Sequence, residues 1–103
     1  MALIRAGELG DLPEGSAMHV ELDAGARAVA VCNVGGRLHA IDGICPHAGG
    51  PLGHGLLNGT TLTCPYHAWE FDCVTGASDM DEDLKQAIYP VKVEGGAIWV
   101  ELP

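Results

Sequence analysis

The amino-acid sequence predicts an all-β protein, and three observations lead to that prediction. Short runs of apolar and β-branched residues recur along the chain with the two-residue alternation of strands. Glycine pairs and one Asn-Gly pair separate neighbouring runs, as they do in tight hairpin turns. No segment shows the spacing of a long amphipathic helix, so sheets must supply the core.

Three strands are predicted in the N-terminal half. Ala17–Leu22 alternates, with its even-numbered apolar residues on one face. Ala28–Val34 is a β-branched run, and Leu38–Ile41 follows it across Gly35-Gly36. Both glycines can adopt positive φ, so this pair predicts a two-residue hairpin turn.

The C-terminal end repeats this design. Gly95-Gly96 separates two predicted strands, Ile88–Glu94 and Ala97–Glu101. Near the N-terminus, Glu8–Gly15 is expected to form a helical turn at most, because glycine and proline interrupt it.

The middle of the chain differs from both flanks. From about residue 42 to 76 the predicted strands are short, and Gly, Pro, Cys and His are frequent. A third hairpin signal, Asn58-Gly59, joins Leu56-Leu57 to Thr60–Cys64. We therefore expect residues 1–103 to form one domain in which a site-bearing insert, about 42–76, is mounted on a β scaffold.

Composition and charge narrow the class of function. The formal net charge of -9 disfavours binding to nucleic acid or to anionic membranes, and it favours partners with basic patches. The first ten residues lack the pattern of a signal peptide, and no apolar run approaches the ~18 residues of a membrane span. We expect a cytoplasmic monomer, in which the four cysteines are ligands or thiols.

Two loops of the insert carry matching pairs of metal-binding residues. The first contains Cys45 and His47, and the second contains Cys64 and His67, each cysteine being followed by proline. Two thiolates and two imidazoles suit either a tetrahedral zinc ion or a dinuclear 2Fe–2S cluster. Each loop offers one residue of each kind, which favours the cluster, because each loop can then hold both irons.

The spacing of these four residues resembles the Rieske signature. Cys45-x-His47 is followed after sixteen residues by Cys64-x-x-His67, and the likeness extends through Trp69–Asp72 and Thr75-Gly76. The resemblance implies a Rieske fold, an antiparallel β-sandwich or partial barrel with a small cluster-binding subdomain. It also implies that the two cysteines bind the inner iron of one 2Fe–2S cluster and the two histidines the outer iron.

Four further positions distinguish the chain from the high-potential members of this family. The high-potential members carry a cysteine bridge between the loops, but the matching positions here are Gly50 and Tyr66. Those members also place two hydroxyl groups against the cluster, where this chain has Trp69 and Phe71. Fewer hydrogen bonds to the sulfurs imply a potential low in the Rieske range, ~-150 mV.

The chain looks like the soluble ferredoxins of multicomponent aromatic-ring dioxygenases. That resemblance implies an electron carrier, not an enzyme, which passes electrons from a flavoprotein reductase to a terminal Rieske non-haem iron oxygenase. The alternatives are a small redox subunit of a larger reductase, such as an assimilatory nitrite reductase, and a structural zinc module.

Several other side chains receive a predicted role. Cys32 and Cys73 are interpreted as buried core residues. His19 is expected to face solvent, since it alternates with apolar strand residues. Three residues beside the ligands are predicted to form a docking surface for partner proteins: Pro51, Leu52 and Tyr66.

Overall fold

The computed structural model describes residues 2–22, 25, 27–45, 49–66, 69–78 and 85–102. In that part of the chain it contains ten strands and two short 3-10 turns, which confirms the all-β prediction. The strands are β1 (Ala2–Glu8), β2 (Ala17–Leu22), β3 (Arg27–Val34), β4 (Arg37–Asp42), β5 (Leu56–Asn58), β6 (Thr61–Thr63), β7 (Glu70–Asp72), β8 (Ile88–Tyr89), β9 (Val91–Glu94) and β10 (Ala97–Leu102). Within these ranges, no helix has the length and apolar character needed to cross a membrane.

Two antiparallel sheets form the base of the molecule. One has the strand order β1-β10-β9 and the other β2-β3-β4-β8. Their inward-facing side chains form one apolar core, because alternate residues of a strand point to the same face. The buried members of this core are Leu12, Leu22, Val29, Val31, Ala40, Ile98, Val100 and Leu102. Met18 and Val20 pack against it, so the predicted apolar face of β2 is confirmed.

A third sheet, β5-β6-β7, stands apart from the base and has its own apolar cluster. Phe71 and Leu62 lie at its centre, and Cys32 and Ile41 of the base sheet reach into it. The cluster also includes the two cysteines of the predicted site, Cys45 and Cys64, together with Leu52 and Cys73. The site is therefore fastened to the scaffold by apolar packing as well as by chain connectivity.

The glycine hairpins are confirmed, and the third hairpin is shifted by one residue. Gly35 and Gly36 have φ of 59° and 92°, and Gly95 and Gly96 have 60° and 79°, the values that a tight turn between antiparallel strands requires. In the third hairpin, Asn58 pairs with Thr61. The two turn residues are thus Gly59 and Thr60, and Asn58 belongs to β5.

The structure corrects the sequence-based prediction at two further places and confirms it at a third. The first strand, Ala2–Glu8, pairs with β10 and was not foreseen. The predicted strand Ile88–Glu94 is interrupted at Pro90, which has no N–H to donate, and β8 and β9 join different sheets. The helical turn expected within Glu8–Gly15 is present as the 3-10 turn Leu9–Asp11.

Candidate metal centre

The first predicted ligand, Cys45, lies three residues beyond the end of β4 in a loop that folds back on itself. The Cys45 N–H donates to the carbonyl of Gly50 at 2.8 Å, and the Gly49 N–H donates to the Cys45 carbonyl at 2.8 Å. An antiparallel bridge between Ile44 and Pro51 closes the loop at its base. The Cys45 side chain is 1% exposed, so its sulfur is held inside the loop.

The second predicted ligand, Cys64, directly follows β6. Its N–H donates to the carbonyl of Trp69 at 2.7 Å, which closes a second loop that corresponds to the first. The Tyr66 N–H donates to the Cys64 sulfur at 3.4 Å, as backbone donors do when they stabilise charge on a ligand sulfur. Cys64 is 2% exposed.

The fold brings the two cysteine sulfurs into hydrogen-bond contact with one another. Burial raises the pKa of the Cys64 thiol; the Tyr66 N–H opposes this, and Cys45 raises the pKa further. Ionisation of two adjacent buried thiols is unfavourable by itself. A bound metal cation offsets this cost because it binds both groups as thiolates. The donor set therefore fits a metal group bound between the two loops. His47 and His67, the other two predicted ligands, lie outside the described residues.

Gly50 and Tyr66 face one another across the gap between the loops. A β-carbon added at Gly50 would lie 2.9 Å and 3.0 Å from two ring atoms of Tyr66 and 3.1 Å from the Cys64 sulfur. The tyrosine ring thus rests on the glycine backbone beside a predicted ligand. Ring-on-backbone packing joins the loops at the positions where the high-potential proteins are expected to have their cysteine bridge.

Two of the three residues of the predicted docking surface are accessible, and their docking role stays a prediction. Tyr66 is 51% exposed and Pro51 is half-buried, so both can meet a partner. Leu52 is 0% exposed and belongs to the apolar cluster, so its predicted docking role is wrong. Ile44, which was not singled out in the sequence, is exposed next to Cys45 and adds apolar surface there.

The remaining cysteines and His19 belong to other segments of the chain than the two loops. Cys32 and Cys73 are buried, as predicted, and the described residues contain no group of three or more potential metal ligands. The prediction that His19 faces solvent is wrong, since its side chain is 16% exposed and its ring centroid lies 5.0 Å from that of His54.

Gln86 is a residue of this region that sequence reasoning missed. It lies between the segment of residues 79–84 and β8, it is buried, and its side chain donates to the backbone that leads into Cys45. A single glutamine shortly before a short strand has no sequence signature. Its burial follows from tertiary packing alone.

Comparison with known proteins connects this geometry to a family. Residues 3–93 match the family described as the Rieske [2Fe-2S] domain. The 3-phenylpropionate/cinnamic acid dioxygenase ferredoxin subunit of Escherichia coli (strain K12) is 36% identical, over 100% of this chain and 96% of its own. The naphthalene 1,2-dioxygenase/salicylate 5-hydroxylase ferredoxin component of a Ralstonia species is 31% identical, over 96% and 94%.

Solved structures show the same likeness. The ferredoxin of carbazole 1,9a-dioxygenase from Nocardioides aromaticivorans IC177 covers 100% of both chains with a TM-score of 0.87 and 29% identity. A complex of reduced oxygenase and oxidized ferredoxin in carbazole 1,9a-dioxygenase contains a chain with a TM-score of 0.85 and 25% identity, over 98% of this chain and 97% of that one. A nitrite reductase small subunit from Mycobacterium tuberculosis has a TM-score of 0.85, covering 99% of this chain and 96% of its own, but at 24% identity it shows the fold alone.

Proposed function

We propose a function for this chain from one established premise: the chain belongs to the Rieske [2Fe-2S] domain family. Its cofactor is a Rieske-type 2Fe–2S cluster. Like its relatives, the ferredoxin components of aromatic dioxygenase systems, it carries electrons to a terminal oxygenase and is not itself the catalytic component.

The proposal assigns the cluster ligands to the two loops. Cys45 and Cys64 bind the inner iron, and His47 and His67 bind the outer iron. The observation that carries the cysteine part of this assignment is the contact between the buried Cys45 and Cys64 side chains, each at the start of a backbone-closed loop, and the histidines are assigned from their spacing to these cysteines in the sequence. A 2Fe–2S cluster bound there takes up and releases one electron at a time.

The protein's own groups make this site suitable for electron transfer. Cys45 and Cys64 are almost fully buried, so the surrounding apolar cluster keeps water away from the ligand sulfurs. The Tyr66 N–H donates toward the Cys64 sulfur and stabilises negative charge there. Around them, the exposed side chains of Ile44 and Tyr66 offer an apolar contact for a partner close to the site.

The proposal also covers the electron donor, the domain organisation and the cellular location. Electrons arrive from a flavoprotein reductase, and the carrier is a monomeric single domain of residues 1–103 whose cluster-bearing insert spans about 42–76. A cytoplasmic location is supported by the four cysteines, none of which forms a disulfide, as is usual in the reducing cytoplasm.

Voltammetry of the purified, iron-loaded protein tests the proposal. We expect about two irons per chain and a reversible one-electron wave at ~-150 mV, because Trp69 and Phe71 carry no hydroxyl to donate to the cluster. Stoichiometric zinc with no redox wave would instead indicate a structural metal site. A stable complex with a large reductase subunit on a sizing column would favour the role of a permanent subunit over that of a carrier.

A further inference from the structure

Gln86 forms hydrogen bonds with both ends of the insert that carries the predicted ligand loops. Its side-chain amide donates to the carbonyl of Asp42 at 3.0 Å and to the carbonyl of Ile44 at 2.7 Å. Those carbonyls lie three residues and one residue before Cys45. One amide group therefore holds the backbone at the point where β4 ends and the first loop begins.

The backbone of Gln86 is fastened to the other side of the insert. Its N–H donates to the carbonyl of Gly76 at 2.7 Å. A β-carbon at Gly76, where φ is +80°, would collide with the Gln86 carbonyl, so the two segments lie in direct backbone contact. Next to it, the Asp42 N–H donates to the Ala87 carbonyl at 2.8 Å. The segment 85–87 thus links the end of the insert to the start of the first loop.

The residue that precedes the ligand has little side-chain packing of its own. Ile44 is 42% exposed, so apolar burial does not fix its position. Its N–H donates to the Asp42 carboxylate at 3.1 Å, and its carbonyl accepts the bond from Gln86. Beside its bridge to Pro51, Ile44 is held by these two hydrogen bonds of its own backbone, and one of them depends entirely on Gln86.

We propose that Gln86 is a positioning residue for the metal centre, which holds Cys45 at the distance from Cys64 that the cluster needs. This inference rests on the proposed function and extends it to a residue outside the ligand motif. Groups that orient a ligand backbone govern how firmly the metal is retained, and losing one costs roughly 10- to 100-fold in metal affinity.

The chain offers a matched control in Asn33. It is the other buried side-chain amide among the described residues, with its Nδ2 donating to the Leu12 carbonyl at 2.8 Å and its Oδ1 accepting from the Gly36 N–H at 2.9 Å. It stands in the base hairpin of β3 and β4, away from the ligand loops. Gln86→Met and Asn33→Leu each replace a buried amide with an apolar side chain of similar size.

The experiment compares these variants as iron-loaded proteins. The rate of cluster loss is followed by visible absorbance with excess iron chelator, alongside the midpoint of thermal unfolding. We expect Gln86→Met to lose its cluster roughly 10-fold faster or more, and Asn33→Leu to lose it at a rate close to wild type even where its unfolding midpoint falls as far. The electron paramagnetic resonance signal of the reduced protein should shift in Gln86→Met and not in Asn33→Leu.

A merely structural role for Gln86 predicts another result. In both variants the rate of cluster loss would then rise in proportion to the fall in the unfolding midpoint, and the resonance signals would be unchanged. That result would overturn the inference. Wild-type protein that holds no iron would overturn the proposed function itself. The iron content of the wild type therefore distinguishes the two failures.

Discussion

The four cysteines differ in what surrounds their sulfur atoms. The Cys73 thiol donates to the Thr60 carbonyl at 3.1 Å, and Cys32 forms a hydrogen bond with Cys73. That bond, together with burial, raises the pKa of the Cys32 thiol. Cys32 is therefore neutral at physiological pH, and the pair satisfies itself without a metal. The Cys64 sulfur instead contacts the Cys45 side chain and accepts the Tyr66 N–H.

Alanine substitutions should separate the two pairs. Cys45→Ala and Cys64→Ala each remove a proposed ligand, so we expect iron content to fall close to zero. The double variant Cys32→Ala/Cys73→Ala should retain about two irons per chain and lose about 1–3 kcal/mol of unfolding free energy, because only small buried groups are removed. Iron analysis and urea unfolding measure both effects. Iron retained in Cys45→Ala would contradict the ligand assignment.

At Gly50, an added methyl group should disturb the packing between the two ligand loops. Gly50→Ala places a β-carbon 2.9 Å from the Tyr66 ring and 3.1 Å from the Cys64 sulfur. Overpacking of this kind costs about 1–3 kcal/mol, so we expect a lower unfolding free energy and faster cluster loss. Urea unfolding and chelator-driven bleaching of the visible absorbance provide the measurements.

Two control variants sharpen that test. Gly10→Ala adds a methyl group where nothing lies within 4 Å, and it should leave both quantities near wild type. Combining Gly50→Ala with Tyr66→Ala removes the ring that the new methyl group meets. We expect the double variant to recover part of the lost stability, and a purely additive loss would show that the Tyr66 ring is not the source of the clash.

At the level of elements, the 3-10 turn Leu52–His54 joins the first ligand loop to the scaffold. Leu52 enters the apolar cluster, and its N–H donates to the Gly43 carbonyl at 2.8 Å. Gly53 lies so close to the β2 backbone at Met18 and His19 that any β-carbon would collide with it. The turn packs directly on the strand, which explains why Leu52 is unavailable to partners.

Leu52→Ala should accordingly act on stability. Removing a fully buried leucine side chain costs about 2–5 kcal/mol. Leu56→Ala is the control, because Leu56 is 79% exposed and its truncation should change the unfolding free energy by no more than about 0.5 kcal/mol. Chemical denaturation of both variants gives the comparison. Equal stability of the two variants would mean that Leu52 is not part of the core.

The accuracy of the sequence-based predictions depends on whether a feature is local. The Gly35-Gly36 and Gly95-Gly96 turns were predictable because positive φ at both positions is a property of those residues themselves. The strand β1 was not, because Ala2–Glu8 is stabilised by pairing with β10, about ninety residues away in sequence. The break at Pro90 was visible in the sequence, yet only the sheet pairing shows that it separates two sheets.

The same distinction applies to the candidate site. The two ligand loops could be found from Cys45 and Cys64, because metal chemistry demands particular residue types at short spacing. The burial of Leu52 and the role of Gln86 could not be found, since both depend on which segments the fold brings together. Apolar residues beside a motif suit docking and core packing alike until the tertiary structure decides between them.

At the scale of the whole molecule, the dominant property is its negative charge. The formal net charge is -9, with 14 acidic residues against five basic ones. Two of the basic side chains form surface ion pairs, Arg5 with Glu8 and Lys92 with Glu94, in the sheet β1-β10-β9. Such exposed pairs add little stability, and because each joins one cation to one anion they leave the net charge of -9 unchanged. The molecule therefore presents a negative field to any protein that approaches it.

This field should control how fast the carrier meets its redox partners. Attraction to a basic docking patch raises the association rate, and salt screens it, since the Debye length falls to about 10 Å at 0.1 M ionic strength. We expect the second-order rate constant for reduction by a flavoprotein reductase to fall roughly tenfold or more between low and high salt. Stopped-flow absorbance across a salt series measures this constant.

A neutral small-molecule reductant serves as the control, because it feels no steering and its rate constant should stay nearly constant in the same series. A reductase rate that is flat or rises with salt would mean that apolar contacts, such as those offered by Ile44 and Tyr66, guide the encounter instead. The two outcomes separate the roles of charge and apolar surface. Long-range charge sets how often partners meet, whereas the apolar groups beside the ligand loops act only once the proteins touch.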